Sequence, residues 1–127
     1  MIATIGKMYT FEAAHWLPNH EGKCKRLHGH SYKVEVSVKG QVVEAVGEPN
    51  EGMVVDFGVL DQIVKPIIEK LDHSCINDLF DEVTTTAENI AGYIHDIIFR
   101  DLAGDLVLRV RVWETEKSWA EVTDEGQ

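Results

Sequence analysis

The chain has 127 residues, the length of one domain, and no stretch rich in glycine, proline or serine divides it. Asp and Glu number 22 against 12 Lys and Arg, and the resulting net charge of -10 disfavours nucleic acid and anionic membranes as partners. The longest apolar runs are too short to cross a bilayer, and the N-terminus lacks the regions of a signal peptide. The two cysteines make no disulfide framework. We therefore expect one domain over residues 1–127, in the cytoplasm and without a membrane partner.

Alternating polar and apolar residues predict four strands, two in the first third of the chain and two at its end. Residues 2–14 are rich in strand formers and predict the first strand. Residues 31–39 give the strongest signal, because every second residue is apolar, as in a half-buried strand. Residues 53–55 are a candidate strand segment before the first helix. Residues 106–113 alternate again, and residues 119–122 form a shorter run.

Apolar residues spaced three and four apart predict two amphipathic helices. The first covers residues 57–71, and Asp56 is placed to cap its N-terminus. The second covers residues 86–102, where threonines offer a cap and Glu88 lies in the first turn, which favours acid. The order of elements is ββααββ. It predicts an α+β domain with both helices on one face of a four-stranded antiparallel sheet.

Three histidines form a candidate metal site. His28 and His30 are separated by one glycine at the entry to the second predicted strand, so both imidazoles can face one metal ion. His15 ends the first predicted strand, which is the expected hairpin partner of the second. Three neutral imidazoles with an open fourth position are what a catalytic zinc ion requires. His28 and His30 alone would more often decorate a turn, and the addition of His15 favours metal binding.

Cys24 is a candidate reactive thiol. It lies in the basic stretch 23–26, four residues before His28. Neighbouring cations stabilise a thiolate, which makes the sulfur a better base or nucleophile. Two other roles stay open: an ordinary cysteine in a solvated loop, or a fourth zinc ligand that would close the site and make it structural.

Two further groups carry potential chemistry. Asp72 can orient His73 and hold its charged form, an arrangement suited to proton transfer near neutral pH, although such neighbours also occur by chance in an acidic chain. Glu114 follows the predicted strand 106–113. Its carboxylate can accept two hydrogen bonds side by side from a donor-rich heterocycle, although solvation is the usual fate of such a glutamate.

Six motifs occur in a fixed order along the chain. They are Phe11-Glu-Ala-Ala-His15, Cys24-Lys-Arg-Leu-His28-Gly-His30, Val55-Asp56-Phe57, Leu71-Asp-His73, Thr85-Thr-Ala-Glu-Asn89 and Trp113-Glu-Thr115. Each motif alone is weak, but the ordered set is highly specific, and it resembles the 6-pyruvoyl-tetrahydropterin synthase family over about residues 9–115. The three-residue gap between Cys24 and His28 is similar to the 6-carboxy-tetrahydropterin synthase branch, which acts in the queuosine pathway. The synthase of biopterin formation usually has a longer gap.

The resemblance implies a tunnelling fold (T-fold), in which subunits join their sheets into a barrel and bind a pterin between subunits. It implies a homo-oligomer, a hexamer of two trimers, with shared active sites. The implied reaction converts 7,8-dihydroneopterin triphosphate into 6-carboxy-tetrahydropterin, acetaldehyde and triphosphate. Two alternatives stay open: a 6-pyruvoyl-tetrahydropterin synthase, which eliminates triphosphate without breaking a carbon bond, and a non-enzymatic zinc-binding module in which Cys24 completes the site.

The resemblance also implies roles for individual residues. Matched by position, these are the zinc ligands His15, His28 and His30, the catalytic thiol Cys24, the proton-relay pair Asp72 and His73, the pterin anchor Glu114, and Thr85 and Thr86 as substrate-binding residues near that anchor. Three basic residues are candidates for holding the triphosphate: Lys23, Lys25 and Arg26.

Overall fold

A computed structural model describes residues 1–124 of the chain. Two long strands, β1 (Ile2–His15) and β2 (His28–Gln41), are followed by helix α1 (Phe57–Leu71) and the two-residue strand β3 (Ser74–Cys75). Helix α2 (Ala87–Asp101) precedes the closing hairpin of β4 (Val107–Thr115) and β5 (Ser118–Thr123). Short 3₁₀ turns lie in two connections, at Lys23–Lys25 and at Ile76–Asp78.

The strands form one mixed sheet in the order β3-β1-β2-β4-β5, in which β3 runs parallel to β1 and the other pairs are antiparallel. The α+β class and the two helices are as predicted, but the prediction of four antiparallel strands in the order ββααββ is wrong. The chain order is ββαβαββ, with a fifth strand. A two-residue strand has no alternation from which it could be predicted. It forms because the His73 amide donates to the Glu12 carbonyl at 2.6 Å, which brings Ser74 beside Ala13.

Residues 53–55 do not form a strand, contrary to the prediction. The Val43 amide donates to the Met53 carbonyl at 2.9 Å, and the Gly52 amide donates to the Val43 carbonyl at 2.8 Å. Gly52 has a φ of 82°, a left-handed conformation that glycine adopts without strain. This segment therefore closes the loop after β2 and leads the chain into α1.

Both predicted helices are present, with the predicted caps. The Asp56 carboxylate accepts a hydrogen bond from the Gly58 amide at 2.7 Å, at the N-terminus of α1. The Thr86 hydroxyl accepts one from the Asn89 amide at 3.2 Å, at the N-terminus of α2. Within residues 1–124, no helix is long and apolar enough to cross a membrane.

The helices cover one face of the sheet. α1 packs on β1, α2 packs on β4 and β5, and the two helices contact each other. Alternate residues of the strands point into this core, and among them the rings of Phe11 and Tyr32 stack with their centroids 4.7 Å apart. β2 begins at His28, three residues before the predicted strand, so the same alternation continues through His30 to the end of the sheet. The chemistry-bearing histidines therefore lie on a rigid hairpin.

Candidate metal centre and active site

The three predicted histidines meet at one end of the β1–β2 hairpin. His15 is the last residue of β1 and pairs directly with His28, the first residue of β2, while His30 lies two residues further on the same face. The ring centroids of His15 and His28 are 4.6 Å apart, and the ring of His30 lies 5.2 Å from the first and 4.8 Å from the second. One ligand nitrogen from each ring lies within 4.8 Å of the others. The cluster can therefore hold a metal ion.

Backbone carbonyls fix the tautomers of two of these rings. His15 Nδ1 lies 2.7 Å from the Thr85 carbonyl oxygen, and His28 Nδ1 lies 2.7 Å from the Arg26 carbonyl oxygen. Because a carbonyl only accepts hydrogen bonds, each Nδ1 carries the proton and each Nε2 keeps its lone pair. This is the arrangement by which proteins orient metal-binding histidines.

The Nε2 atoms of all three rings are buried and have no hydrogen-bond partner in the protein. Burial lowers the pKa of His15, offset in part by its hydrogen bond to Thr85, and it lowers the pKa of His30, offset in part by the charge of Glu114. For these two rings the neutral imidazole, which is the form that binds a metal, is therefore favoured. A cluster of three imidazole nitrogen donors fits a zinc ion.

Thr85 lies behind His15. It is fully buried, and both its carbonyl oxygen and, at 3.2 Å, its hydroxyl face His15 Nδ1. Thr85 thus orients His15 from the side opposite to its Nε2, while its contact with the substrate stays a prediction. Asn77 holds the neighbouring backbone of Trp16: its Oδ1 accepts from the Trp16 amide at 3.0 Å, and its Nδ2 donates to the Trp16 carbonyl at 2.9 Å.

Glu114 is brought to the histidines by a bulge. Trp113 pairs with Trp119 and Thr115 pairs with Ser118, so Glu114 is the extra residue at a break in the register of β4 and β5. A bulge re-aims the side chain that it carries. The Glu114 carboxylate lies 3.7 Å from His30 Nε2, at the mouth of the cluster.

Cys24 lies beside the cluster without belonging to it. Its turn is held by a hydrogen bond of 2.8 Å from the Leu17 amide to the Cys24 carbonyl. Cys24 lines a cleft of about 440 Å³ together with His28 and His30, and a second cleft of about 300 Å³ together with Glu114 and Thr86. Among residues 1–124, the metal-binding group comprises only the three histidines. This favours a thiol that faces a ligand over a thiol that closes the metal site.

Lys23 and Arg26 also line the 440 Å³ cleft. Lys25, the third basic residue of the turn, is exposed and is not part of the lining of either cleft.

Asp72 and His73 form a pair at the edge of the sheet. His73 Nδ1 lies 2.9 Å from Asp72 Oδ2, while Asp72 Oδ1 accepts the Glu12 amide at 2.8 Å. The bond from the Glu12 amide, and then the bond with His73, lower the pKa of Asp72. The His73 side chain is 81% exposed and lines a third cleft, of about 510 Å³, with Glu12 and Ser31. The pair is thus intact, but it faces a different cleft from those that Cys24 lines.

Several contributing residues could not be predicted from the sequence. Arg26 and Thr85 contact the histidines through their backbone carbonyls, which every residue type carries, so the sequence does not indicate these contacts. Asn77 and Glu12 act through contacts between segments about 60 residues apart in the chain. Tyr32, whose ring lies edge-on to those of His15 and His30, was also missed, because its alternation with Val34 predicted a core position only.

The three imidazoles, with a carboxylate and a thiol nearby, form a candidate metal centre and active site in an α+β domain. A family model described as 6-pyruvoyl tetrahydropterin synthase matches residues 4–125. The chain belongs to the 6-pyruvoyl tetrahydropterin synthase family.

The relatives do not all carry the same name. A 6-carboxy-5,6,7,8-tetrahydropterin synthase of Synechocystis sp. is 45% identical over 91 residues, which cover 71% of this chain and 70% of the relative. An enzyme of the same name from Haemophilus influenzae is 33% identical over 138 residues, covering 92% and 96%. A dihydroneopterin monophosphate aldolase of Pyrococcus furiosus is 36% identical over 115 residues, covering 90% and 91%.

A solved structure has the same fold. The 6-pyruvoyl tetrahydropterin synthase of Caenorhabditis elegans superimposes with a TM-score of 0.84 at 25% identity, covering 98% of this chain and 97% of that chain.

Replacing His28 or His30 by Ala should remove the metal, because two imidazoles hold zinc poorly. We expect zinc affinity to fall by more than the roughly 10- to 100-fold that loss of an outer-shell partner costs. Zinc content after dialysis, with Co²⁺ absorption as a second readout, checks this. His20→Ala is the matched control, because His20 is exposed and lies outside the cluster. Full zinc content in either ligand variant would show that the ligand assignment is wrong.

Proposed function

We propose that the protein is a zinc-dependent 6-carboxy-tetrahydropterin synthase of queuosine biosynthesis. It would convert 7,8-dihydroneopterin triphosphate and water into 6-carboxy-tetrahydropterin, acetaldehyde and triphosphate, as a carbon–carbon lyase. The observation that carries the proposal is the set of three buried, unpartnered Nε2 atoms beside Glu114 and the clefts of Cys24. The names of the Synechocystis and Haemophilus relatives support the choice of reaction.

The zinc ion would be held by Nε2 of His15, His28 and His30. When bound there, zinc supplies Lewis-acid chemistry and a template for the hydroxyl groups of the substrate side chain. The carbonyls of Thr85 and Arg26 keep the rings of His15 and His28 in the required tautomer, so these two ligands are ordered before the metal binds. Glu114 would accept the donor-rich edge of the pterin ring, with Thr86 in the same cleft.

Proton transfer is assigned to Cys24 and to the pair of Asp72 and His73. The Cys24 thiolate would remove a proton from the side-chain carbon next to the ring, and His73 would exchange protons on the opposite side. Asp72, held by the Glu12 amide, keeps the His73 ring oriented. Loss of this proton and protonation of the ring turn the hydroxyl-bearing carbon next to the ring into a carbonyl group, which would then allow triphosphate to leave and the carbon–carbon bond to break. Lys23 and Arg26 would attract the triphosphate to the cleft, against the net charge of -10.

Identification of the products decides between this reaction and its alternatives. Zinc-loaded protein is incubated with 7,8-dihydroneopterin triphosphate and, separately, with the monophosphate, and the products are identified by mass spectrometry. Acetaldehyde with 6-carboxy-tetrahydropterin is expected. A 6-pyruvoyl product without acetaldehyde would favour the biopterin-type synthase, and aldol cleavage of the monophosphate would favour the activity named for the Pyrococcus relative. No product from either compound would favour a zinc-binding module.

Cys24→Ala should retain zinc and the fold yet lose most turnover, because the thiol acts on substrate rather than on the metal. General-base groups contribute on the order of a hundred- to ten-thousand-fold to the rate, and we expect a loss in that range. Cys75→Ala is the matched control, since Cys75 lies in β3 and lines none of the three clefts described above. A loss below tenfold would contradict the role of Cys24, and loss of zinc would instead support a structural four-ligand site.

The active site would be shared between subunits of a homo-oligomer, with a hexamer of two trimers as the expected form. Support comes from His73, whose exposed side chain faces a different cleft from Cys24. The outer edges of β3 and β5 also carry backbone groups that can pair with a further strand. Joining sheets edge to edge would satisfy these groups and bring the proton-relay pair of one subunit to the thiol of another.

Complementation tests the shared site. Cys24→Ala and His73→Ala should each be inactive alone, and subunits mixed by co-expression should regain activity at the fraction of sites that receive both intact side chains. Sedimentation velocity at the assay concentration reports the size of the assembly. A fully active monomer, or no recovery in the mixed oligomer, would contradict the shared site.

A further inference from the structure

Tyr32 lies beneath the metal centre. It follows His30 by two residues on the buried face of β2 and is 0% exposed. Its ring stacks on Phe11 with an interplanar angle of 12°, and it lies edge-on to His30 at 5.4 Å and to His15 at 6.0 Å. Three neighbouring rings therefore fix the position of this phenol.

The Tyr32 hydroxyl is buried and has no hydrogen-bond partner in the protein. Nearly all buried polar groups are paired, because an unpaired one loses the hydrogen bonds that it made to water. Tyr9 shows the ordinary outcome on β1, where the hydroxyl donates to Asp61 at 2.7 Å. A phenylalanine at position 32 would fill the same space without the penalty, so the hydroxyl requires a role other than packing.

Glu114 is the candidate acceptor for this hydroxyl, because of its place in the strand register. Lys33 pairs with Trp113 across β2 and β4, so Tyr32 and Glu114 are the next residues along on the two adjacent strands. The bulge leaves Glu114 without a cross-strand partner, and its carboxylate has about four lone-pair sites. Two of these can face a ligand while a third accepts from Tyr32.

We infer that Tyr32 is a positioning residue for Glu114: its hydroxyl, unpaired in this structure, donates a hydrogen bond to the Glu114 carboxylate when the pterin binds and so aims the carboxylate at the amino-pyrimidine edge of the ring. The inference rests on the proposed pterin-anchoring role of Glu114. Tyr32 would then contribute to recognition of the pterin ring, a role separate from metal binding and from proton transfer.

Tyr32→Phe tests the inference through ligand binding rather than turnover. The full-length, zinc-loaded variant is titrated calorimetrically with 7,8-dihydroneopterin, and we expect binding weaker by roughly tenfold, the size of one hydrogen bond to a charged group. Its Tm should be equal to or above that of the wild type, because an unpaired buried hydroxyl has been removed. Tyr9→Phe is the matched control: it should lower the Tm by breaking the bond to Asp61 and leave pterin affinity unchanged.

The double variant Tyr32→Phe, Glu114→Gln tests whether Tyr32 acts through Glu114. If it does, adding Tyr32→Phe to Glu114→Gln weakens binding by much less than tenfold. Unchanged affinity in Tyr32→Phe overturns the inference. So does a full tenfold loss in the Glu114→Gln background, or a loss of zinc from Tyr32→Phe, because either would place the action of the hydroxyl elsewhere. Product analysis of the wild type decides the proposed reaction independently, so the two proposals can fail separately.

Discussion

The register between β1 and β2 is the constraint on which the site depends. The two strands pair without interruption from Ile2 and Gln41 to His15 and His28, so the last pair of the ladder is itself a pair of histidines. A slip of one residue would move His28 and His30 to the opposite face of the sheet and leave His15 alone. Both strands carry a buried apolar face, which makes such a slip costly. The core therefore specifies the ligand geometry before any metal binds.

Groups from distant segments complete what the hairpin begins. The N-terminus of α2 brings Thr85 behind His15, and the turn before β2 brings the Arg26 carbonyl to His28. The bulge in the last hairpin turns Glu114 toward the same cluster. Each of these contributes one acceptor, and the carbonyls of Thr85 and Arg26 leave Nε2 of His15 and of His28 free to bind a metal. The tertiary fold thus makes the end of an ordinary hairpin a candidate metal site.

Much of this arrangement could be predicted from sequence, for identifiable reasons. Alternation predicted the strands, and three-and-four spacing with an Asp56 cap predicted α1, because these patterns reflect one-sided burial. His28 and His30 were predicted as partners because residues two apart on a strand share a face. β3 was missed because two residues are too few to show an alternating pattern. The bulge was missed because the register depends on pairing between strands. The contact of the Thr85 carbonyl with His15 was not predicted, because every residue type carries a backbone carbonyl.

The attachment of Asp72 and His73 also determines how they move. Both residues bond to the peptide groups of Glu12: the amide of Glu12 reaches the Asp72 carboxylate, and its carbonyl receives the His73 amide. His73 adopts a φ of 57°, which turns the chain sharply away from α1 at this point. The backbone of His73 is therefore fastened to β1 as well as to the end of α1. Its solvent-facing side chain thus starts from a fixed point, and its reach is limited to rotation about its own side-chain bonds.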